Sequence, residues 1–464
     1  MLPKRFSNSE VKTHFKFINM KHLSRRGFIK STVIGAAGLT IMPLLQSFKW
    51  SPNNTIRIGF IGLGQQAMNL FNGFSTIPGV QIVAGADVYG IKRERFEKRV
   101  KDFYSDLNQT VDVKTYSDYR RILDRKDIDA VIIATPDHWH ALMALDACAA
   151  GKDVYQEKPM TFTIKESIKV AEAVRKHNII FAVGSQQRSD PNFQHAIRLA
   201  HREVDAFGKL AKVNAYVGPG RREGDVYVGP EPTPYDLPEE TIPEDLDWKK
   251  WLGPLKYVHY NHRLNEPISL NPVKNETFWA AWRYYKETGG GFMCDWGAHN
   301  FDIGQWALQK DHSGPVKIIP AGYQGAKYLT FVYDNGLEMT NEPYDANHSF
   351  GVKLWGTDGW IEVQRGKITA SHDSLLPPKG EDGESGLYEK STEHLQNFID
   401  SVRSRIDPIV PVEIGQRTTT TSILGNIATE LNRPVSWSPT EQYFVNDPEA
   451  AKYYHREYHN GYKL

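Results

Sequence analysis

This sequence contains few cysteines and carries almost no net charge. Its 464 residues include 2 cysteines, Cys148 and Cys294, which are too few for a disulfide framework or a thiolate metal cluster. Lysine and arginine number 56 against 55 aspartate and glutamate residues, so the formal net charge is +1. That balance argues against an electrostatic nucleic-acid binder and against a protein held on membranes by basic residues.

The remaining composition is typical of a soluble globular protein. Hydrophobic residues make up 40% of the chain and charged residues 24%. At roughly 150 residues per domain, the length predicts two or three domains, each large enough to bury a core. Internal repeats and low-complexity tracts are absent from the sequence.

The first 50 residues are interpreted as a targeting signal. Arg25 and Arg26 precede an apolar run at 31–48 that is too short and too rich in glycine and alanine to span a bilayer well. The paired arginines resemble the twin-arginine signal, a route that exports folded proteins. Met20 would give a signal of ordinary length, so the true start stays open. We therefore expect a periplasmic protein without a stable membrane anchor.

A dinucleotide-binding turn follows this signal. The β-branched run at 56–61 predicts a buried parallel strand, and the sequence G-x-G-x-x-A comes directly after it. Gly62 permits a tight turn, Gly64 lets a pyrophosphate approach the backbone, and Ala67 keeps the next helix close to the sheet. Gln65 lies at the start of that helix, whose N-terminus would face the phosphates. The sequence therefore predicts a dinucleotide site.

An acidic residue at the end of the second strand indicates which dinucleotide binds. Asp87 follows the apolar run at 80–86. A carboxylate there accepts a hydrogen bond from a ribose 2′-hydroxyl and repels a 2′-phosphate. NAD is therefore favoured over NADP, although Lys92 and Arg93 nearby leave NADP possible.

Strand and helix patterns continue to alternate as far as residue 185. This alternation predicts a doubly wound parallel sheet of about six strands over 51–185, because right-handed crossovers place the helices on both faces. Further strands are expected at 128–134, 153–155 and 179–183, and helices at 139–150 and 163–177.

Three side chains are candidates for the chemistry. Lys158 lies just past the carboxyl end of a strand, where open α/β sheets bind ligands. Asp295 and His299 are spaced i, i+4, which places both on one face of a helix. His299 could take the proton of a sugar hydroxyl, while Asp295 orients either a sugar hydroxyl or the imidazole. Lys158 would donate a hydrogen bond to the reacting oxygen or polarise the ketone. The same spacing would also suit a surface pair with no catalytic role.

The ordered motifs resemble the Gfo/Idh/MocA oxidoreductases, the family of glucose–fructose oxidoreductase and inositol dehydrogenase. The resemblance runs from about residue 55 to 440 and implies that Lys158, Asp295 and His299 are the catalytic residues. It also implies that Thr135 and Glu157, among others, border the cofactor. The matching elements are Gly62-Leu63-Gly64, Asp87, Ala134-Thr135-Pro136 with His140, Glu157-Lys158-Pro159, Asp295-x-x-x-His299, Asn397-Phe398-Ile399 and Gly415-Gln416-Arg417.

The resemblance further implies a C-terminal α+β domain over 186–464 with a large, mostly antiparallel open sheet. The overall fold class is then α/β. The outer face of that sheet commonly forms a homo-oligomer interface in the family, so a dimer or tetramer is expected. Strand-like runs that suit the sheet lie at 210–217, 316–321, 328–333 and 352–355.

Several polar side chains are expected to line the cleft between the domains. Gln187 is assigned to the cofactor, and Arg188 and Arg283 to the substrate together with the three catalytic candidates. Residues 218–288 form a long aromatic segment, and loops of that length are usually functional or disordered. We expect this one to wrap the active site or a partner subunit. A metal is not expected, because the histidines at 138, 140, 259 and 262 have no carboxylate or thiolate at usual ligand spacing.

The sequence thus predicts an exported, NAD(P)-dependent oxidoreductase that acts on a secondary hydroxyl of a sugar or glycoside. Export implies a cofactor that is bound tightly beforehand and recycled in place, by a second sugar or by an external acceptor. One alternative is redox-assisted glycoside cleavage, which needs a further base such as Tyr260, Tyr284 or His262. The other is a non-catalytic carbohydrate-binding protein, against which the intact catalytic set argues. The sequence does not select the sugar or the carbon.

Overall fold

The computed structural model describes residues 55–464, apart from 219–220, 224–225, 229–234, 346, 348 and 378–391. The predicted export signal at 1–50 lies outside the described residues. Among the helices of the described part, none is long and apolar enough to cross a membrane.

The N-terminal part is a parallel sheet of six strands in the order β3-β2-β1-β4-β5-β6. Five of its strands are almost continuously buried, as expected of a sheet covered by helices on both faces, and the edge strand β3 is more exposed. This confirms the predicted doubly wound fold. The strands are β1 (Ile56–Ile61), β2 (Val80–Ala86), β3 (Lys114–Tyr116), β4 (Ala130–Ile133), β5 (Asp153–Gln156) and β6 (Phe181–Val183), and the helices are α1 (Gln65–Phe74), α2 (Gly90–Asp106), α3 (Arg120–Leu123), α4 (Asp137–Ala149) and α5 (Ile164–His177).

Local sequence signals set the ends of these helices, and α5 shows it most clearly. The Thr163 hydroxyl accepts a hydrogen bond from the backbone N–H of Glu166, and the Glu166 carboxylate accepts one from the backbone N–H of Thr163. This reciprocal cap satisfies two N–H groups that a helix start leaves without partners. At the other end Asn178 takes the left-handed conformation, with φ 54°, which stops the helix.

The C-terminal part is built on a nine-stranded mixed sheet in the order β17-β16-β15-β7-β14-β13-β12-β18-β19. Neighbouring strands are antiparallel except for β7 and β14, which are parallel. All four predicted strand runs coincide with strands of this sheet. The strands of the C-terminal part are β7 (Leu210–Tyr216), β8 (Arg221–Glu223), β9 (Val226–Val228), β10 (Ser269–Leu270), β11 (Val273–Lys274), β12 (Lys317–Ile319), β13 (Thr330–Val332), β14 (Glu338–Thr340), β15 (Gly351–Gly356), β16 (Trp360–Gln364), β17 (Lys367–Ala370), β18 (Val435–Ser438) and β19 (Tyr443–Phe444).

Two central helices, α9 and α11, lie against this sheet and share its core. Side chains such as Phe301 and Ile303 on α9 and Leu424 on α11 are completely buried there. Helix α9 is buried along nearly its whole length, and its polar residues are not gathered on one face as they are in a helix at the surface. The helices of this part are α6 (Pro191–Ala200), α7 (Trp248–Leu252), α8 (Gly291–Asp295), α9 (Gly297–Ala307), α10 (Thr392–Ser404) and α11 (Val412–Leu431).

Helix α10 completes the core of the N-terminal sheet. The Phe398 ring lies 6.2 Å from the ring of Phe74 and 5.7 Å from that of Tyr155. Gly73 lets α10 come this close, because a Cβ there would lie 2.5 Å from Leu395 Cδ1. The nucleotide-binding core therefore extends beyond the predicted boundary at residue 185.

Residues 235–288, here called the cap segment, form a separate aromatic cluster. The indoles of Trp248 and Trp251 stack with centroids 4.6 Å apart. The Trp251 carbonyl accepts a hydrogen bond from the indole N–H of Trp139 at 3.0 Å, which ties the segment to α4. Asn460 near the C-terminus donates to the carbonyls of Gly253 and Leu255. These contacts fix the cap segment beside the carboxyl edge of the parallel sheet.

Candidate active site

The three parts of the fold converge on one cavity of about 500 Å³. Its lining comes from the turn after β1, from the loops after β4 and β5, from the α8–α9 junction and from the cap segment. This is the position that open α/β sheets use for ligands, at the carboxyl ends of the strands where the strand order reverses.

One end of the cavity is shaped by the glycine turn. Gly62 has φ +82°, and a Cβ on it would lie 2.7 Å from the carbonyl oxygen of Ala134. Gly64 precedes α1, and a Cβ there would meet no atom within 4 Å, so this glycine faces open space. The first turn of α1 has no side-chain cap and no acidic residue. A free helix N-terminus of this kind fits the pyrophosphate of a dinucleotide.

Asp87 is held at the rim of this end by its own backbone surroundings. Its carboxylate accepts hydrogen bonds from the N–H groups of Leu63 at 2.8 Å and Tyr89 at 2.9 Å. Lys92 also lines the cavity and donates to Asn265 of the cap segment at 3.0 Å. Burial lowers the pKa of Lys92. Gln65, Thr135 and Pro136, which were assigned to the cofactor, line the cavity.

Glu157 anchors the middle of the cavity. One of its carboxylate oxygens accepts hydrogen bonds from the side chains of Gln66 at 2.8 Å and Gln186 at 2.9 Å. Burial raises the pKa of Glu157. The next residue is Lys158, and the Lys158–Pro159 peptide is cis. Glu157 therefore joins the start of α1 to the loop that carries Lys158.

Lys158 and Asp295 form an ion pair at the other end. The Lys158 ammonium donates to Asp295 Oδ1 at 2.5 Å and to the Asp295 carbonyl at 3.1 Å. Burial raises the pKa of Asp295, but the positive charges of Lys158 and Arg283 outweigh it and hold that pKa below its usual value. The carboxylate is therefore ionised and fixes the position of the ammonium group.

His299 lies beside this pair and lines the cavity. Asp295 ends α8 and His299 lies in α9, two short helices that meet at Trp296. The imidazole is 5% exposed, and its Nδ1 has no hydrogen-bond partner among the described residues. Burial, and then the charges of Arg365 and Lys158, lower the pKa of His299 well below its usual value. The ring is neutral and can accept a proton, so the alternative of a solvent-exposed helix pair does not hold.

Two further residues of the cavity were not identified from the sequence. Arg365, in the turn between β16 and β17, lies over the Trp296 ring at 4.8 Å and donates to Gln187 Oε1 at 3.2 Å. No motif surrounds it. Asp137 begins α4, is 4% exposed, and has its pKa raised well above the usual value by burial. Asp137 directly follows the Thr135-Pro136 motif, and this position could have identified it from the sequence.

Arg188 requires a correction. It is 2% exposed, donates from Nε to Asp302 Oδ2 at 2.7 Å, and donates from its terminal nitrogens to Asp311. Its guanidinium also lies over the Trp306 ring at 4.9 Å. These partners occupy the whole side chain, so Arg188 holds α9 in place and does not line the cavity.

Three residues assigned to the cofactor also lie behind the cavity wall. Ala67 is buried in the packing of α1. His140 has its ring nitrogens 2.7 Å from the Pro159 carbonyl and 3.0 Å from the Thr135 carbonyl, so it joins the loops that follow β4 and β5. Gln187 contacts Asn300 and Arg365. All three support lining residues rather than forming the surface themselves.

The candidate bases for glycoside cleavage differ in where they lie. Tyr284 lines the cavity. Tyr260 is buried and donates its hydroxyl hydrogen bond to the Asn265 carbonyl, and His262 lies at the surface against Glu240. Tyr284 is thus the member of that set placed to meet a substrate. In the described part of the chain, no group of three histidine, cysteine or acidic residues is arranged to hold a metal ion.

Comparison with known proteins identifies the family. Residues 56–185 match the oxidoreductase family with an NAD-binding Rossmann fold, and residues 227–464 match the C-terminal α/β domain of the same family. The chain belongs to the Gfo/Idh/MocA oxidoreductases. The resemblance inferred from the motifs is confirmed, as are an NAD-binding domain and membership of an enzyme family.

Relatives in the family differ in what their names record. The oxidoreductase YrbE of Bacillus subtilis is 35% identical over 361 residues, which cover 75% of this chain and 83% of that protein. The scyllo-inositol 2-dehydrogenase (NAD(+)) of the same organism is 24% identical over 380 residues, 76% of this chain and 88% of the other. A glycosyl hydrolase family 109 protein of Shewanella sp. strain ANA-3 is 30% identical over 164 residues, 32% of this chain and 36% of that protein. The match thus spans about a third of that relative.

Solved structures share the fold. A levoglucosan dehydrogenase in complex with NADH aligns with 82% of this chain and 99% of its own, with a TM-score of 0.57 and 17% identity. An aldose–aldose oxidoreductase from Caulobacter crescentus covers the same shares with a TM-score of 0.52 and 16% identity.

Proposed function

We propose that this protein is an NAD-dependent oxidoreductase that oxidises a secondary hydroxyl of a sugar or glycoside. One observation carries the proposal: Lys158, Asp295 and His299 line the same cavity as the glycine turn at Gly62 and Gly64. A substrate hydroxyl at the end lined by Lys158 and Asp295 and a dinucleotide at the end lined by the glycine turn would therefore meet within one cavity.

Each catalytic side chain has a distinct task in this proposal. The neutral His299 ring takes the hydroxyl proton as the carbon is oxidised, because its low pKa leaves it unprotonated. The Lys158 ammonium donates a hydrogen bond to the same oxygen and stabilises the charge that develops on it. Asp295 fixes Lys158 through the 2.5 Å contact. Bound NAD supplies the hydride acceptor.

A sugar or polyol substrate is supported by the relatives and by the cavity wall. The B. subtilis relative named for scyllo-inositol and the structural neighbour named for levoglucosan act, by their names, on cyclic polyhydroxylated compounds. Here Trp282 lines the cavity, and its indole can pack against the apolar face of such a ring. NAD is preferred over NADP because of the Asp87 carboxylate at the rim.

Export through the twin-arginine route, with the cofactor already bound, is part of the proposal. It is supported by the Arg25-Arg26 pair before an apolar run. Replacing both arginines by lysine should keep the protein in the cytoplasmic fraction, whereas the parent chain reaches the periplasm. If the variant and the parent chain were distributed equally between the two fractions, export through this route would be rejected. A dimer or tetramer formed through the nine-stranded sheet is likewise expected, and light scattering of the purified protein measures it.

The first experiment is to denature purified protein that was never supplemented with nucleotide and to identify what is released by mass spectrometry. Stoichiometric NAD or NADH is expected. The same preparation is then offered a panel of sugars, and the absorbance of the bound NADH reports oxidation. Protein that neither carries nor binds a nicotinamide nucleotide would reject the proposed function.

Redox-assisted glycoside cleavage is the second candidate, favoured by the match to a glycosyl hydrolase family 109 protein and by Tyr284 at the cavity wall. Oxidation at C3 acidifies the C2 proton, a base removes it, and the group at C1 leaves, which gives a double bond between C1 and C2. Water then adds across that bond, with the hydroxyl at C1 and the proton at C2, and reduction of C3 by the same NADH closes the cycle. The distinguishing result is release of nitrophenol from a nitrophenyl glycoside without net NADH, together with deuterium uptake at C2 in heavy water.

A further inference from the structure

The cavity contains a charged side chain that the proposed reaction does not use. Arg283 lies in a short turn of the cap segment, Ala281–Tyr284, and lines the cavity. Its guanidinium lies over two indole rings, 4.8 Å from the centroid of Trp279 and 4.4 Å from that of Trp282. One terminal nitrogen donates to the Ala280 carbonyl at 3.1 Å. The aromatic faces and this hydrogen bond hold the group in one orientation.

No carboxylate among the described residues forms an ion pair with Arg283. The acidic groups of the cavity are otherwise engaged: Asp295 is paired with Lys158, and Glu157 accepts from two glutamines. Burial raises the pKa of Asp137 well above its usual value, which favours the neutral carboxyl group. A fixed guanidinium that lines the cavity without an ion-pair partner among the described residues is suited to bind an anion that enters with a ligand.

Arg283 lies at the substrate end of the cavity. The neighbouring Tyr284 ring packs 5.1 Å from that of Phe292 in α8, the helix that ends at Asp295. The backbone of Gly289 packs so closely on Arg283 that a Cβ there would lie 2.5 Å from Arg283 Cα. Among the charges that lower the pKa of Asp295, that of Arg283 comes second after Lys158. The guanidinium is therefore placed near the catalytic ion pair.

We propose that Arg283 binds the carboxylate of an acidic sugar, so that the substrate is a hexuronic acid or a glycoside of one. This inference rests on the proposed function and specifies its substrate class. A guanidinium matches a carboxylate through two parallel N–H···O bonds, a match that a neutral hydroxymethyl group cannot make. The competing source of negative charge is the pyrophosphate of the dinucleotide, because the charge of Arg283 also reaches Lys92 near the other end.

The test compares pairs of sugars that differ in one group, glucuronate with glucose and galacturonate with galactose, free and as methyl glycosides. The holoprotein is expected to show at least about a tenfold higher kcat/KM for the acidic member of its preferred pair, the size of one charge-assisted contact. In Arg283→Gln this acid-to-neutral ratio should fall by about the same factor. Arg283→Lys keeps the charge and should retain part of the preference.

Lys256→Gln is the matched control, because Lys256 is an exposed cation on the same segment and does not line the cavity. Its acid-to-neutral ratio should equal that of the parent protein. Nucleotide content after denaturation is measured for every variant, and thermal melting shows whether each one is folded.

Each result decides the inference. Oxidation of neutral sugars without an acid preference overturns it and leaves the proposed function standing. An unchanged ratio in Arg283→Gln, combined with loss of bound nucleotide, overturns it by assigning Arg283 to the cofactor phosphates. Failure of every sugar to reduce the bound NAD counts against the proposed function instead. A ratio that collapses in Arg283→Gln, with nucleotide retained, supports the inference.

Discussion

The two ends of the cavity differ in whether backbone or side-chain groups form them. The nucleotide end is made of backbone: Gly62 and Gly64 leave space, and the N-terminus of α1 supplies N–H groups. The substrate end is made of side chains that come from distant stretches of the chain, among them Lys158, His299 and Arg365. An added methyl group is therefore enough to weaken binding at the nucleotide end. At the substrate end, function is lost when side-chain atoms are removed.

Lys158→Ala should have the largest effect of the predicted variants. It deletes the ammonium that contacts Asp295 and the reacting oxygen, so kcat should fall on the order of a thousandfold. The nucleotide end is untouched, and bound NAD should still be released on denaturation in parental amount. Turnover that survives in this variant would remove Lys158 from the mechanism.

Gly64→Ala tests the opposite end by adding one carbon. Because a Cβ at this position meets no protein atom within 4 Å, the variant should fold with an unchanged melting temperature but bind NAD about a hundredfold more weakly. Calorimetric titration of nucleotide-free protein measures this. Gly62→Ala is the contrasting variant, since its Cβ would strike the Ala134 carbonyl, and it should lose thermal stability as well. Equal melting temperatures for the two variants would contradict the comparison.

Asp87→Asn removes charge from the nucleotide end while keeping an oxygen that can accept from Leu63 or Tyr89. Repulsion of a 2′-phosphate should disappear, so the affinity ratio of NADP to NAD should rise about tenfold. Competition binding of the two nucleotides gives the ratio. An unchanged ratio would show that Asp87 serves the turn alone.

Arg365→Gln should produce the smallest change, a shift in pH dependence. His299 acts as a base in its neutral form, and Arg365 is the second cause, after burial, of its lowered pKa. Without that positive charge the imidazolium forms more readily, so the pKa rises and the acidic limb of kcat/KM moves to higher pH. Activity above that limb is retained. Arg365→Lys should leave the limb where it is, and a Gln variant with the parental profile would show that Arg365 does not act on His299.

The sequence was sufficient where the structure depends on neighbours along the chain. The glycine turn and the Thr163 cap are local, and each predicted its structure correctly. The i, i+4 spacing placed Asp295 and His299 at one site, but they lie on two short helices that meet at Trp296 rather than on one helix. Arg188 was misassigned because its partners Asp302 and Asp311 come far later in the chain. Arg365 was missed for the same reason: tertiary folding alone brings the β16–β17 turn to the cavity.

Helix α10 has a consequence for how the protein is made. Leu395 and Phe398 belong to the nucleotide-binding core, so that core lacks part of its packing until they have been translated. A truncated chain that stops at residue 185 would leave Phe74 and Tyr155 uncovered and should aggregate. We therefore expect the packing around the dinucleotide site to be completed only after Phe398 has been synthesised.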